Sequence, residues 1–150
     1  FNVLAALAPG RVDLGVGKAP GGLPLSTRAL QPGLNHQETG SFPEQLAPHH
    51  RSIPPEPHAA EEALRATPLP PQPAEGLLLG ASNQTALLAA TLNWHIVFAA
   101  HLNGDPELLR EVVSTWRENC ARDVIVAVQA VVAPTQAEAD ALAQKVEVWG

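Results

Sequence analysis

The feature that most constrains this chain is an apolar run that leads directly into the start of a helix. Residues 76–80, Gly-Leu-Leu-Leu-Gly, form a short apolar run, which is typical of a strand buried on both faces, as in a parallel sheet. From Ser82 onward the apolar residues follow a helical period, with leucines at helical spacing among alanines. Ser82 or Asn83 can supply the oxygen that caps the N-terminus of this helix. The sequence therefore predicts a strand that runs directly into a helix.

Such a junction can hold an anion. The first N–H groups of a helix have no intrahelical acceptor, and the helix macrodipole places about half a positive charge there. Gly80 and Ala81 allow close approach to the backbone, and the hydroxyls of Ser82 and Thr85 lie on one side of the first turn. Two interpretations stay open from these residues, an ordinary capped helix after a buried strand and a site for a phosphate group.

The rest of the chain alternates between strand and helix patterns. Asp105 and Pro106 favour a helix start, and the spacing of Thr135 to Glu138 makes a capping box. The alternation predicts an α/β fold, with a parallel sheet and helical crossovers, in which the β-branched segment 123–132 is a central strand. Strands are predicted at residues 12–17, 76–80, 94–100 and 123–132, and helices at residues 2–8, from 82, at 105–120 and from 135 toward 149.

Proline dominates the segment between the first two predicted strands. Nine of the 15 prolines lie between residues 43 and 73, and we interpret residues 32–75 as a Pro-rich insertion or linker within a single domain of residues 1–150. A short helix is predicted at residues 24–31, before the Pro-rich insertion. Within the insertion, the prolines are predicted to leave room only for a short helix at residues 58–65. Its histidines match no metal-binding spacing, so we predict no metal site; they are His36, His49, His50 and His58.

Charge and composition exclude several classes of partner. The chain has 9 Lys and Arg against 15 Asp and Glu, a net charge of −6 and no basic run, so we expect no nucleic acid partner. No apolar run approaches the length that spans a bilayer, so we expect no membrane association. The single cysteine, Cys120, excludes an internal disulfide and is predicted to be a small apolar residue at a helix end. We expect a cytoplasmic protein.

The loops that follow parallel strands share one rim of the sheet, where α/β proteins bind their ligands. Lys18 follows the first predicted strand, Gly80 to Thr85 follow the second, and His101 follows the third. A cation, a helix N-terminus with two hydroxyls and an imidazole suit a phosphorylated cofactor. From the residues alone, Lys18 is either a solvated loop lysine or a phosphate ligand.

Four segments at these positions together resemble the bacterial luciferase-like, flavin-dependent monooxygenases; they are residues 7–21, 77–82, 98–102 and 126–133. The resemblance implies a (β/α)8 TIM barrel that binds reduced FMN supplied by a flavin reductase, activates dioxygen and oxygenates a small organic substrate. It covers the fourth through seventh strands, so the fold it implies here is a partial (β/α)8 barrel of about four parallel strands. The segment that carries the family's catalytic histidine is not in this chain.

The resemblance also implies roles for individual residues. Lys18 takes the place of a basic residue, usually arginine, that meets the flavin phosphate, and Ser82 and Thr85 match hydroxyls at the same phosphate, with the backbone of Ala81 beside them. His101 matches a position near the flavin and the substrate and is our candidate catalytic residue, beside the alternative of a rim histidine without a catalytic role. The predicted cofactor-binding set is Lys18, Gly80, Ala81, Ser82 and Thr85.

Three functional hypotheses stay open at this point. The first is an FMN-dependent monooxygenase, in which the flavin carries the chemistry. The second is a shortened barrel that binds flavin or phosphate without catalysis, and the third is an inactive truncated product. Four strands leave two open sheet edges, so we also expect self-association into a homo-oligomer.

Overall fold

Four parallel strands form one sheet in a computed structural model that describes residues 1–18, 41–52 and 67–145. The sheet order follows the chain, and neighbouring strands pair in a regular parallel register, in which Gly15 faces Leu77 and Leu77 faces His95. The α/β fold with a parallel sheet is thus confirmed. The strands are β1 (Asp13–Gly17), β2 (Glu75–Gly80), β3 (His95–Phe98) and β4 (Val124–Val126).

Helices connect the strands, and their starts follow the capping signals of the sequence. Ser82, and not Asn83, is the N-cap of the helix after β2, and its hydroxyl oxygen accepts from the backbone N–H of Thr85. The capping box of Thr135 and Glu138 is complete, as predicted. The helices are α1 (Asn2–Leu7), α2 (Phe42–Ser52), α3 (Asn83–Thr91), α4 (Pro106–Asn119) and α5 (Gln136–Ala143).

The core lies between one face of the sheet and three of the helices. Alternate residues of the central strands point to this face, and α2, α3 and α4 cover it. Because successive parallel strands lie side by side in chain order, right-handed crossovers bring these three connecting helices to the same face. This is the arrangement of a (β/α)8 barrel and not of a doubly wound sheet. The buried core residues are Leu46, Leu78, Ala86, Ala89, Trp94, Ile96, Phe98, Val112 and Trp116.

The other face of the sheet is open to solvent in the described part of the chain. Leu79 and Ile125 point to it and are 36% and 42% exposed. A Cβ atom placed on Gly15 would meet nothing within 4 Å. In a barrel, this face lines the lumen.

Two predicted strands are shorter than expected, and one of them lies at the edge of the sheet instead of at its centre. Residues 94–100 form a strand only at β3, and the predicted central strand at 123–132 is wrong in position and length. β4 has three residues and lies at the edge of the sheet, because among the described residues only β3 pairs with it. One further ladder bond joins the Ala127 N–H to the Phe98 carbonyl, 2.9 Å.

The prediction that proline leaves room only for a helix at residues 58–65 is also wrong. Helix α2 forms within the Pro-rich segment, with Pro43 in its first turn, where a backbone N–H needs no intrahelical acceptor. The Glu44 carboxylate accepts from both the N–H and the hydroxyl of Ser41, at 2.6 Å each. The predicted helices at 24–31 and 58–65, and the extension of the last helix past residue 145, lie outside the described residues.

Gly76 is required by the packing of Trp94 against β2. A Cβ atom at position 76 would lie 2.2 Å from the Trp94 ring. We expect Gly76→Ala to lower the free energy of unfolding by about 1–3 kcal/mol, because the buried indole has to shift in a packed core. Gly15→Ala is the matched control, since that position has open space. Urea unfolding at one protein concentration measures the free energy of unfolding of both variants. Equal losses of stability in Gly76→Ala and Gly15→Ala would contradict this packing.

Glu44 makes the stability of α2 depend on pH. Hydrogen bonds from the hydroxyl and then the N–H of Ser41 lower the pKa of Glu44 below its ordinary value of 4.5. A carboxyl whose pKa is lower in the folded state stabilises the fold above its unfolded pKa and loses that contribution as the pH falls through the folded pKa. We therefore expect Glu44→Gln to be less stable than the parent at pH 7 and equal to it at low pH. Urea titrations across pH 3–7 measure the difference in the free energy of unfolding between parent and variant. A difference that stays constant over this range would contradict the role of the Ser41–Glu44 hydrogen bonds.

Candidate functional site

The predicted site residues lie on one rim of the sheet, at the carboxyl ends of the strands. Gly17 pairs with Leu79, so Lys18 follows at the level of Gly80. The N–H of Ala99, just after β3, donates to the Gly80 carbonyl at 3.1 Å. The backbone N–H of His101 donates to the Ala127 carbonyl at 2.9 Å. The ends of all four strands, and the loops after them, thus meet at one rim.

Ser82 and Thr85 form a hydroxyl pair at the N-terminus of α3. The Ser82 Oγ accepts from the Thr85 N–H at 3.2 Å and lies 3.0 Å from the Thr85 Oγ1. When the Thr85 hydroxyl also donates to Ser82, the Ser82 proton is left for an external acceptor. Ser82 is exposed, and the N–H groups of the first turn lie beside it. This arrangement suits an anion at the helix start.

Gly80 brings strand β2 and helix α3 unusually close together. A Cβ atom at position 80 would lie 2.5 Å from the Thr85 Oγ1 and 2.7 Å from its Cγ2. The space that we expected Gly80 to leave for a ligand is therefore taken by the side chain of Thr85. Gly80 positions Thr85 against the strand end, and direct roles for Gly80 and Ala81 in cofactor binding stay predictions.

Asn83 fixes the start of α3 against α4, which sequence analysis did not anticipate. Its amide nitrogen donates to the Glu111 carboxylate, and its carbonyl oxygen accepts from the Thr115 hydroxyl at 3.1 Å. These partners are 28 and 32 residues away in the chain, so no local pattern indicates them. With Asn83 engaged on α4, the hydroxyls of Ser82 and Thr85 and the amide of the exposed Gln84 remain at the helix start.

Lys18 and His101 differ in exposure to solvent. Lys18 is exposed and forms no salt bridge with any other described residue, so its charge is available to an anion on the rim. The Nδ1 atom of His101 is buried and has no hydrogen-bond partner among the described groups. The structure thus places His101 on the rim, and its catalytic role stays a prediction.

A cleft lies at the opposite rim, around the amino ends of the strands. It has a volume of about 440 Å³ and is lined in part by Asp13 and Asn93. At its edge, the His95 Nε2 lies 2.8 Å from the Glu75 carboxylate and 2.8 Å from the Arg122 guanidinium. In (β/α)8 barrels this rim serves stability and the carboxyl rim carries the active site, so we assign the cleft to the scaffold.

Two negative findings concern the residues that the structure describes. No group of three or more His, Cys, Asp or Glu side chains is arranged to hold a metal ion in residues 1–18, 41–52 and 67–145. His36 and His58 lie outside these ranges, and the side chains of His49 and His50 are not described. No helix in the same ranges has the length and apolar character needed to cross a membrane.

Comparison with known proteins identifies relatives that are monooxygenases. No protein-family model matches the chain. The N-acetyl-S-alkylcysteine monooxygenase of Bacillus subtilis (strain 168) is 43% identical over 113 residues, which cover 74% of this chain and 34% of that protein. A luciferase-like monooxygenase of Escherichia coli (strain K12) is 32% identical over 122 residues, which cover 79% of this chain and 34% of the relative.

A solved structure agrees with these relatives. The crystal structure of apo-MsnO8 matches with a TM-score of 0.68 and 26% identity, covering 93% of this chain and 42% of that one. The chain spans about a third of the length of the two curated relatives. On its sequence relatives and its parallel sheet, the chain belongs to the luciferase-like monooxygenase family.

Proposed function

We propose that this chain binds the phosphate of reduced FMN at the carboxyl rim and is part of a flavin-dependent monooxygenase. The observation that carries the proposal is the hydroxyl pair of Ser82 and Thr85 at the start of α3, on the rim that also holds Lys18. The substrates we propose are dioxygen and a small organic molecule. FMN reduced by a separate flavin reductase is the cofactor that best fits these donors and the family.

The donors at this rim match what a phosphate monoester requires. A phosphate has several strong acceptor oxygens and close to two negative charges. The first-turn N–H groups and the Ser82 hydroxyl supply hydrogen bonds, and Lys18 supplies a full positive charge. A lysine provides charge without the two-pronged hydrogen bonding of an arginine, so the helix start carries more of the binding here.

The chemistry of oxygen transfer would come from bound reduced FMN. The residues of this chain would bind and orient the cofactor, with Ser82, Thr85 and Lys18 at its phosphate. His101 would lie near the reacting groups, where a buried imidazole nitrogen without a partner can hold or accept a proton. The relative from Bacillus subtilis suggests N-acetylated S-alkylcysteines as the first substrate class to test.

A second candidate function is flavin or phosphate binding without catalysis. The observation that favours it is that the hydroxyl pair of Ser82 and Thr85 and the exposed Lys18 all suit a phosphate group, which needs no catalytic residue to bind.

The phosphate site predicts a specific loss of affinity for FMN. We expect Ser82→Ala and Lys18→Ala each to raise the Kd for FMN by about 5- to 30-fold, because each removes about 1–2 kcal/mol of hydrogen bonding or charge attraction. Quenching of flavin fluorescence measures the affinity. Riboflavin, which lacks the phosphate, should bind both variants as it binds the parent.

Matched controls separate the site from general effects on the fold. Thr91→Ala removes a hydroxyl from the other end of α3, and Lys145→Ala removes an exposed lysine elsewhere. Both should leave FMN affinity unchanged. Equal affinity of the parent for FMN and riboflavin, or a Ser82→Ala variant that binds as the parent does, would overturn the phosphate site.

Product analysis separates the two candidate functions. With a flavin reductase, FMN and isotopically labelled dioxygen, a monooxygenase should place one labelled oxygen atom in an N-acetyl-S-alkylcysteine, which mass spectrometry detects. We expect His101→Asn to slow product formation by at least about 10-fold, in the range of a lost acid–base group, with little change in FMN affinity. FMN binding without labelled product would favour the non-catalytic alternative.

A further inference from the structure

A polar bridge joins the first turn of α3 to the side of α4. The side-chain amide of Asn83 donates to the Glu111 carboxylate and accepts from the Thr115 hydroxyl at 3.1 Å. Asn83 is the first residue of α3 after the N-cap Ser82, so the bridge acts on the end of the helix that carries the hydroxyl pair. Both polar atoms of the Asn83 amide are thus engaged outside their own helix.

The core fixes the side of α4 that offers these partners. Val112 and Trp116 are fully buried and lie one turn apart, which sets the rotation of α4 about its own axis. Glu111 and Thr115 each precede one of them in the chain, so they form a neighbouring row, also one turn apart. Asn83 therefore bonds to a row of side chains whose place is set by two large core residues.

Helix α3 has few large side chains to hold its own position. Its fully buried residues are Ala86 and Ala89, and a methyl group interlocks little with the grooves of a neighbouring element. The fit of Thr85 beside Gly80 holds the helix against the strand end. The bridge from Asn83 adds the second direction, because it ties the same turn sideways to α4.

We propose that Asn83, Glu111 and Thr115 position the first turn of α3 for the phosphate of FMN. Two residues of α4 then set the affinity for the cofactor through Asn83, without binding the cofactor themselves. The inference rests on the proposed phosphate site and assigns the residues that support it. Hydrogen bonds depend on the direction of each N–H group, and a binding site has to hold its donors within about 0.5 Å of their working positions.

A pair of substitutions at Thr115 tests the bridge from outside the site. Thr115→Val removes the hydroxyl and keeps the branched shape. We expect it to raise the Kd for FMN by about 3- to 10-fold, the effect of one lost hydrogen bond. Thr115→Ser keeps the hydroxyl and should restore the affinity to within about 2-fold of the parent. Flavin fluorescence measures both, and riboflavin, which lacks the phosphate, should bind these proteins equally.

Two further variants of α4 serve as controls. Ser114 is the chain neighbour of Thr115, but its hydroxyl donates to Glu118 within α4. Ser114→Ala should therefore leave FMN affinity unchanged. Glu111→Gln keeps an acceptor for the Asn83 amide and removes a negative charge near the helix start, so it should not weaken FMN binding.

A double-mutant cycle separates the bridge from independent effects of its members. Asn83→Ala removes the acceptor that Thr115 uses, so Thr115→Val should have little further effect on FMN affinity in the Asn83→Ala background. Urea unfolding measures the free energy of unfolding of the same four proteins. This free energy should be non-additive in the same way, and its measurement needs no flavin.

A Thr115→Val variant that binds FMN as the parent does would overturn the positioning role. Equal losses of affinity for FMN and riboflavin would also overturn it, because a general change in the fold affects both ligands. In both cases, a parent that prefers FMN to riboflavin and loses this preference in Ser82→Ala would keep the phosphate site. A parent without that preference would overturn both proposals, whereas additive unfolding free energies in the cycle would overturn the bridge alone.

Discussion

The structure depends on the packing of three helices against one face of a parallel sheet. Leu78 from β2, Ile96 and Phe98 from β3, and Val112 and Trp116 from α4 are fully buried there. Burying a large apolar side chain contributes about 1.5–3 kcal/mol, so this small set supplies much of the driving force for the fold. The close fit of Trp94 over Gly76 belongs to the same layer, because the indole occupies the place of a side chain on β2.

The same packing of helices on the sheet also positions the residues of the carboxyl rim. Helix α3 begins where it does because β2 ends at Gly80, and Thr85 fits against that glycine. The bond from Ala99 to the Gly80 carbonyl joins the loop after β3 to the same point. The hydrogen bonds of the Asn83 side chain, which donates to Glu111 and accepts from Thr115, then hold the helix start against α4. The hydroxyl pair is therefore supported by three elements, as a binding site requires.

The two rims have different chemistry. At the amino rim, Glu75, His95 and Arg122 contact one another, and the buried Nδ1 of His95 has no hydrogen-bond partner among the described groups. The carboxyl rim carries groups with unused capacity, namely the exposed Lys18, the first-turn amides of α3 and the buried His101 nitrogen. A ligand can bind to polar groups that have no partner and are held by a rigid scaffold, and this is why the helix start, and not the cleft at the amino rim, carries the proposed function.

The sequence by itself determined the features that depend on neighbours along the chain. The capping residues Asp105 and Thr135, an N-cap at Ser82 or Asn83, the strand-to-helix junction and the parallel alternation follow from local hydrogen bonding and hydrophobic period. The Ser41 and Glu44 signal for α2 was equally local, but the surrounding prolines obscured it. The resemblance of four segments to luciferase-like monooxygenases was likewise visible in the sequence, without knowledge of the fold.

Tertiary structure alone decided which neighbour each element has. β-branched composition predicted a long central strand at 123–132, yet strand length is set by pairing, and β3 is the one strand that pairs with β4 in the part of the chain that the structure describes. The occupation of the space at Gly80 by Thr85, the attachment of Asn83 to α4 and the cluster at His95 are contacts between surfaces that meet only when the chain folds. Such contacts depend on the distance between elements in space, which residue order does not encode locally.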